Sequence, residues 1–251
     1  MEGGTVGKRG LSGRRRLHRA IDHARDTALR ALLTPILKAE WESRRDAEIN
    51  EGAVQYPFAL RALTNCAAHD ILDVGTGTSA WPQLLVGSGF RVTAIDEITG
   101  YWGPAGFFNR HFYVQRGDIR RPNQSAAYDA VTCLNVMSTI VDDRVALAGM
   151  LAALRPGGRM VLSFPYNEAT HVANVYELPE AGYGQGARYR CRIYSRADVD
   201  AWLEQCGVEV IEQEYYRMFR GELWTMGGRD TPRQVPVTER HHFTAVVLRR
   251  R

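Results

Sequence analysis

The sequence predicts an α/β protein built on a doubly wound, mainly parallel sheet of seven strands, with an antiparallel last strand and an N-terminal helical cap. From residue 69 onward, short apolar runs of the kind that form strands alternate with apolar residues at helical spacing. Strands that alternate with helices pair in parallel and are covered on both faces. The chain has 251 residues, 45% of them hydrophobic, which is enough to bury a sizeable core.

The residues before the predicted sheet fall into two parts. Residues 1–16 are rich in glycine and arginine and predict a disordered basic tail. Over residues 17–68 the apolar side chains lie three and four positions apart, so we expect a helical cap of two or three helices. Breaks between these helices are expected at Pro35 and around Gly52.

The domain over residues 69–251 is predicted from its strands and from two helices with clear ends. The first five strands are DILDVG, RVTAID, FYVQRG, YDAVTCLNV and RMVLSFP. The helix in DDRVALAGMLAALRPGG ends at the Pro-Gly-Gly break at 156–158. The helix in SRADVDAWLEQCG begins at a cap on Ser195, with Asp198 three residues on, and closes on Gly207. VEVIEQEYYRMF and HHFTAVVLRR lack a long helix between them and predict an antiparallel hairpin at one edge of the sheet.

Two connections of this domain predict loops that serve a binding site. The stretch EITGYWGPAGFFNRHF between the second and third strands carries three glycines and a proline, which favours an irregular, aromatic-rich loop. Residues 167–194 form a long insertion after the fifth strand, with glycines at 182, 184 and 186 as hinges. Loops of that length are usually lids or substrate-binding insertions.

The charge and the cysteines restrict the class of partner and the compartment. Six basic side chains and one acid lie in residues 1–19, and three arginines end the chain. The formal net charge of the whole chain is +4, so the part between these two ends is negatively charged. A nucleic-acid enzyme usually carries its basic surface on the folded body, so a solvated tail is favoured over an RNA-binding one. Four scattered cysteines without a CxxC pair, and no signal or membrane-length segment, predict a cytoplasmic protein with reduced thiols.

The stretch ILDVGTGTSAWPQLL, residues 71–85, predicts a strand, a tight turn and a helix that together hold a ligand. Gly75 and Gly77 let the backbone turn sharply and approach a ligand closely. Read literally, the turn matches the GxGxxG/A fingerprint, and Asp96 stands 21 residues after Gly75, near the place of a ribose-binding acid. That match alone fits several nucleoside-binding folds, an NAD-dependent oxidoreductase among them.

Acids at the ends of three neighbouring strands favour a positively charged nucleoside. Asp73 precedes the first glycine by two positions, where it would repel a pyrophosphate. Asp96 ends the second strand, and Asp118 follows the third, where it offers an acceptor to an amino group. The three acids suit a ligand with an ammonium group, a ribose diol and an exocyclic amine.

At these residues the chain resembles the class I S-adenosylmethionine-dependent methyltransferases, over about residues 69–248. The resemblance implies S-adenosylmethionine as the cofactor and a Rossmann-like sheet with an antiparallel last strand. DVGTGT matches the family's first motif, and YDAVTCLNV matches its fourth, whose end lies beneath the transferred methyl group. The cofactor-binding residues implied by the resemblance are Asp73, Gly75, Thr76, Gly77, Asp96, Glu97, Asp118, Ile119 and Asn135.

The chain also departs from relatives of this family. Ser138 and Thr139 stand where many small-molecule members carry Glu-His, so no role of that pair transfers. The NPPY-type tetrapeptide of members that methylate adenine or glutamine is missing, and SFPY at 163–166 follows the wrong strand to replace it. Both a nucleic-acid and a protein acceptor are therefore disfavoured.

The predicted chemistry requires alignment more than a catalytic side chain. A general base helps a hydroxyl acceptor and is dispensable for a neutral amine. His171, in SFPYNEATHV, is the candidate base, with a helix-capping or surface role as the alternative; Glu168 and His111 are further candidates. His241 and His242 should face opposite sides of a strand, so no metal site is predicted.

Aromatic side chains near the same edge of the sheet are the candidate acceptor contacts, with ordinary core packing as the alternative for each. They are Tyr56, Tyr101, Trp102, Tyr166 and Trp224. The sequence thus predicts methyl transfer to an oxygen or nitrogen of a small molecule or sugar, in natural-product or glycan biosynthesis. The alternatives are an RNA methyltransferase that uses the basic termini, an NAD-dependent oxidoreductase, and a protein that binds the cofactor without turnover.

Overall fold

The computed structural model describes residues 8–45, 48–97, 109–122 and 125–250. The chain divides into two compact units, Met1–Glu48 and Ile49–Arg251. The boundary between the two units falls within the predicted helical cap over 17–68. No helix within the described ranges has both the length and the apolar character that a membrane span requires.

Within the first unit the structure describes one long helix, α1 (Lys8–Arg44). The sequence predicts a disordered tail to residue 16 and a break at Pro35, whereas α1 already begins at Lys8 and continues through Pro35. Strong helix formers on both sides, in ALRALL and ILKAEWE, favour helical geometry across the proline. Both expectations are corrected accordingly.

The described residues of the second unit form an eight-stranded sheet and four α-helices. The helices are α2 (Gly52–Asn65), α3 (Trp81–Gly87), α4 (Asp143–Ala153) and α5 (Arg196–Cys206). The strands are β1 (Asp70–Val74), β2 (Arg91–Asp96), β3 (Val114–Arg116), β4 (Tyr128–Leu134), β5 (Leu154–Pro165), β6 (Val208–Phe219), β7 (Arg229–Val235) and β8 (Phe243–Arg250).

The strand order is β3-β2-β1-β4-β5-β8-β6-β7. Strands β1 to β5 pair in parallel, and β8 runs antiparallel to both of its neighbours, β5 and β6. The predicted fold class, with its antiparallel last strand, is confirmed. Because the chain order reverses between β2-β1 and β4-β5, the carboxyl ends of β1 and β4 flank the crevice where such sheets bind ligands.

The carboxyl-terminal part of the sheet differs from the prediction in two details. The last strand, β8, lies inside the sheet rather than at its edge. This position suits its sequence, since the residues from Phe243 to Leu248 are apolar or small and are buried on both faces. The edge is formed by an unpredicted eighth strand, β7, which pairs with β6. Its sequence RDTPRQV contains charges and Pro232, which is typical of an edge strand and gives little strand signal.

The core is split between the two faces of the sheet. Alternate residues of β5 enter different clusters: Met160, Leu162 and Phe164 pack with α4 and α5, whereas Val161 packs with α2 and α3. Helix α5 begins and ends as predicted, with a capping box between Ser195 and Asp198 and a left-handed Gly207. Helices on both faces leave the carboxyl edge of the sheet open for a site.

Candidate functional site

A cavity of about 260 Å³ lies at the carboxyl ends of the parallel strands. Segments that follow four consecutive strands line it, together with part of the insertion after β5. Among the described residues these are 74–75, 95–97, 117–120, 139–141 and 188–190, with Val136. The site therefore lies at the crevice that the strand order predicts.

The glycine turn after β1 crosses the end of β4 at close range. Gly75 has a φ of +74°, and a Cβ placed on it would lie 2.4 Å from Cγ1 of Val136. Gly77 has a φ of +55°, and its N–H donates to Oδ2 of Asp96 at 3.0 Å. Only a residue without a side chain fits at Gly75, so bare backbone forms this wall of the cavity.

Two of the three predicted acids meet at this cavity. Asp96, at the end of β2, and Asp118, two residues after β3, both line it. Oδ1 of Asp118 accepts from the backbone N and from Nε of Arg120, both at 2.9 Å, and this guanidinium holds the pKa of Asp118 below its usual range. Arg120 also donates to Oε1 of Glu97 at 2.6 Å. Sequence reasoning missed Arg120, although a basic residue two positions after a loop aspartate is placed to bond it.

The third acid, Asp73, lies behind the cavity wall. Its side chain is buried, and its two oxygens accept from the hydroxyls of Thr76 and Thr132, each at 2.6 Å. Burial raises the pKa of Asp73 to about 6, against the lowering effect of both threonines. The structure therefore uses Asp73 and Thr76 to fasten the glycine turn to β4, whereas the sequence predicts that both contact the cofactor.

Ile119 lines the cavity with buried apolar surface, held there by α4. A Cβ on Gly149 of α4 would lie 1.8 Å from the carbonyl oxygen of Ile119, so the helix backbone presses directly on this segment. Ile119 itself is 5% exposed. The apolar wall next to Asp118 is thus fixed by helix packing.

Asn135, at the end of β4, adopts an uncommon backbone conformation. Its φ is +60°, and its N–H donates to the carbonyl oxygen of Ser163 at 2.8 Å and to the Ser163 hydroxyl at 3.0 Å. Its Nδ2 donates to Oε1 of Glu51 at 2.9 Å. Left-handed backbone at a residue other than glycine is costly and concentrates at functional sites. The next residue, Val136, lines the cavity.

The insertion over 167–194 contributes one wall of the cavity through residues 188–190. Arg192, which is buried, fastens it: Nη1 donates to the carbonyl of Ile140 at 2.6 Å and Nη2 to that of Val141 at 2.7 Å. Its backbone N–H donates to the carbonyl of Ser138 at 3.0 Å. The sequence predicts a substrate-binding insertion here, but Arg192 is not among the predicted site residues. The signal that could have marked it is the arginine at every second position of RYRCR.

The predicted base His171 lies away from the cavity. Its side chain is 46% exposed, and Nδ1 lies 2.9 Å from Oδ2 of Asp198, the carboxylate that caps α5. Glu168 likewise accepts from the Tyr166 hydroxyl and pairs with Arg196. His171 thus lies where the alternative role predicts it, beside the carboxylate that caps α5.

The three predicted acceptor contacts that the structure describes are dispersed. Tyr166 and Trp224 are core residues, stacked on His241 and Phe243 respectively. Tyr56 stacks on Trp81 with ring centroids 5.1 Å apart, and its hydroxyl lies 3.0 Å from Oγ of Ser79 in the glycine turn. Tyr101 and Trp102 lie outside the described residues. Of the three described side chains, Tyr56 is the one that contacts the glycine turn.

The two histidines before β8 are both buried and face opposite clusters. His241 stacks on Tyr166, whereas Nδ1 of His242 accepts from the backbone N–H groups of Met218 and Phe219. Nε2 of His242 is then the protonated nitrogen and donates to the carbonyl of Gly221 at 2.9 Å. No group of three or more candidate metal ligands occurs in the part of the chain that the structure describes.

This combination of sheet and site defines a class of protein. A glycine turn after the first strand, acids after the second and third strands, and an antiparallel last strand beside the fifth are the architecture of the class I S-adenosylmethionine-dependent methyltransferases. The family described as "Methyltransferase domain" matches residues 18–213. The chain belongs to this methyltransferase family, and the resemblance and the cofactor predicted from the sequence are confirmed at the level of the family.

Sequence relatives carry two further names. The chain is 27% identical over 110 residues to a ubiquinone biosynthesis O-methyltransferase of Xanthomonas oryzae pv. oryzae, covering 41% of this chain and 46% of that protein. It is 29% identical over 153 residues to a demethylmenaquinone methyltransferase of Mycolicibacterium vanbaalenii, covering 57% and 66%. The chain thus spans about half to two thirds of the length of these relatives.

A solved structure shares the fold over most of both chains. It is the 1,6-didemethyltoxoflavin-N1-methyltransferase of Burkholderia thailandensis, crystallised with 1,6-didemethyltoxoflavin and S-adenosylhomocysteine. The TM-score is 0.55 at 17% sequence identity, and the match covers 89% of each chain.

Proposed function

We propose that the protein transfers the methyl group of S-adenosylmethionine to an oxygen or nitrogen of a small-molecule acceptor, sugars included, in a biosynthetic pathway. The observation that supports this most is the meeting of Gly75, Asp96, Asp118 and Ile119 at one cavity. Asp96 offers a carboxylate to a ribose diol, Asp118 an acceptor to the adenine amino group, and Ile119 an apolar face to the adenine ring.

The position of Asp96 favours a positively charged cofactor over a dinucleotide. Asp96, Glu97 and Asp118 bring three carboxylates to the wall; Arg120 pairs with the last two, and Arg188 and Arg190 lie on the wall that the insertion forms. A pyrophosphate at this wall would face Asp96 at short range, which is unfavourable in a partly desolvated site. A sulfonium with an α-ammonium group is attracted instead.

The protein's contribution to catalysis is chiefly alignment. When bound, the cofactor supplies a methyl group on a positively charged sulfur. The turn at Gly75 brings bare backbone to that part of the cavity, and the bond from the Gly77 N–H orients the Asp96 carboxylate, which would hold the ribose. Holding two reactants in line is worth up to about 7–11 kcal/mol.

The relatives support a small-molecule acceptor. The names of the matched proteins specify ubiquinone biosynthesis, demethylmenaquinone and 1,6-didemethyltoxoflavin. The compounds in these names are small molecules that contain rings. Methylation on oxygen and on nitrogen are both represented in those names. Small ring compounds are therefore the first acceptors to test.

Calorimetric titration with S-adenosylhomocysteine, and with NAD for comparison, tests this proposal. The wild-type protein should bind S-adenosylhomocysteine and not NAD. Asp96→Ala should weaken that binding by about 10- to 100-fold, because a hydrogen bond to a charged group contributes roughly 1.5–3 kcal/mol. Asp200→Ala, an exposed change on α5, is the matched control and should leave the affinity unchanged. Equal affinity of the Asp96 variant and the wild type would contradict the placement of the ribose.

A further inference from the structure

The proposed function leaves open which group removes the acceptor's proton, since His171 and Glu168 lie elsewhere. We infer that Glu51, at the N-terminus of α2, is the general base that takes the proton of an acceptor hydroxyl on an aromatic ring. This inference rests on the proposed function and adds to it a catalytic residue and the kind of acceptor atom.

Three elements converge on the carboxylate of Glu51. Oε1 accepts from Nδ2 of Asn135 at the end of β4, at 2.9 Å, and Oε2 lies 3.4 Å from Nη1 of Arg229 at the start of β7. The Glu51 side chain is 18% exposed, so it is largely enclosed but still open on one side. One partner on each oxygen orients the carboxylate and leaves lone pairs for a third group.

Glu51 is connected to the glycine turn of the proposed cofactor site through Asn135. Asn135 precedes Val136, whose side chain fills the space beside Gly75, so Asn135 and the glycine turn are neighbours. The amide of Asn135, a residue with an uncommon backbone conformation, bonds Glu51. The carboxylate of Glu51 is thus held at the end of β4 by the residue next to the cavity-lining Val136.

An aromatic path connects the cavity with Glu51. Tyr189 lines the cavity and packs edge-on against Tyr176, with ring centroids 5.9 Å apart. Tyr176 lies 6.2 Å from Tyr183, and the guanidinium of Arg229 lies 5.6 Å above the Tyr183 ring. Arg229 in turn pairs with Glu51. A cluster of tyrosine rings and an arginine suits a flat, electron-rich ring better than an aliphatic acceptor.

The other titratable groups that face Glu51 keep their protons. Burial raises the pKa of Cys191 to about 11 and raises that of Tyr183 above its usual range, and the negative charge of Glu51 adds to both shifts. Arg229 is the cation that faces Glu51. Cys191 and Tyr183 are therefore not candidates for the base, and Glu51 is the carboxylate that lies beside them.

The transfer balances as follows. The acceptor oxygen shares an electron pair with the methyl carbon while the carbon–sulfur bond breaks, and the pair of that bond stays on sulfur, which loses its positive charge. The hydroxyl proton passes to an oxygen of Glu51 and then to solvent. Removing such a base typically slows the reaction by about 10²–10⁴-fold.

Turnover of simple probes by Glu51→Gln and the wild type tests the inference. The probes are phenol, catechol and hydroquinone as hydroxyl acceptors and aniline as an amine acceptor, each with S-adenosylmethionine. Glutamine keeps the size of the side chain and an oxygen for Asn135, so kcat should fall by about 10²–10⁴-fold on a hydroxyl probe. The affinity for S-adenosylhomocysteine should not change, and the acid limb of the pH–rate profile should disappear. Glu51→Asp should restore part of the rate, and Glu204→Gln, an exposed change on α5, should match the wild type.

Three results would overturn the role of Glu51. One is wild-type kcat in Glu51→Gln; the second is a loss of S-adenosylhomocysteine affinity with kcat retained, which would make Glu51 a cofactor ligand. The third is a wild-type protein that binds S-adenosylhomocysteine yet methylates aniline only, or none of the probes. Failure of the wild type to bind S-adenosylhomocysteine would instead reject the proposed function.

Discussion

At the scale of single residues, Gly75 shows how the lack of a side chain shapes the cavity. Its α-carbon faces the side chain of Val136 at a distance that excludes a methyl group. The positive φ adds a second constraint, because L-residues adopt that conformation at a cost of about 1–2 kcal/mol. The two constraints can be separated by a pair of variants.

Gly75→Ala should lower the affinity for S-adenosylhomocysteine about tenfold or more, since the new Cβ must displace Val136 and with it the wall of the cavity. Gly89→Ala is the matched control: Gly89 has a φ of +95°, but a Cβ there meets nothing within 4 Å. It should cost about 1 kcal/mol of stability and leave binding intact. Calorimetry and thermal unfolding measure both variants, and equal affinities in the two would count against a steric role for Gly75.

His242 gives a prediction about pH. Burial lowers its pKa, and its Nδ1 accepts two backbone N–H groups, so the folded state holds the neutral ring. The unfolded chain, with a pKa near 6.5, binds the proton more readily. This contribution to stability is therefore complete above about pH 6.5 and is lost as the pH falls below it.

Urea unfolding of the wild type and of His242→Asn over about pH 7.5–5.5 measures this loss. Asparagine keeps an acceptor oxygen near the position of Nδ1 but does not titrate, so the variant should lose less stability on acidification. His23→Asn, an exposed change on α1, should retain the slope of the wild type. Equal slopes in all three proteins would rule out His242 as the source.

At the scale of elements, the insertion and the connection after β4 act as one wall of the cavity. Arg192 links them through the carbonyls of Ile140 and Val141 and lies 3.4 Å from Oδ2 of Asp143 at the start of α4. This buried guanidinium, which also donates to the Tyr194 hydroxyl at 3.1 Å, ties the two chain segments together beside the backbone bond from Arg192 to Ser138. We expect the order of this wall to depend on that one side chain.

Arg192→Met keeps the apolar stem but leaves two carbonyl groups without their donors, at about 1–3 kcal/mol each. Affinity for S-adenosylhomocysteine should fall several-fold, and limited proteolysis should cut within residues 167–194 faster than in the wild type. Arg144→Met, at an exposed position of α4, is the control and should change neither. Wild-type affinity together with wild-type proteolysis would show that the wall holds without Arg192.

At the scale of the whole molecule, the predictable features are those with a local signal. Alternating apolar runs located β1 to β6 and β8, and the rule that ligands bind at the carboxyl ends of strands brought Asp96 and Asp118 to one place. The glycine turn was recognisable because Gly75 and Gly77 require special backbone geometry. These signals lie within a few residues of the feature that they predict.

The features that were missed depend on contacts between distant parts of the chain. Glu51 and Arg229 are 178 residues apart, and nothing in either neighbourhood marks the pair. The bond between Asp73 and Thr132 joins two strands, 59 residues apart, so no local signal marks that pair. Tyr166 and Trp224 are predicted to contact the acceptor because the sequence does not tell which aromatic side chains pack into the core.

The central claim is that the cavity at the ends of β1 to β4 holds an adenosine whose ribose lies on Asp96. A crystal structure of the complex with S-adenosylhomocysteine measures this directly. The ribose hydroxyls should lie within about 2.6–3.2 Å of the Asp96 carboxylate, with the adenine against Ile119 and its amino group toward Asp118. Adenosine bound elsewhere, or an Asp96 side chain turned away from the ribose, would contradict the account.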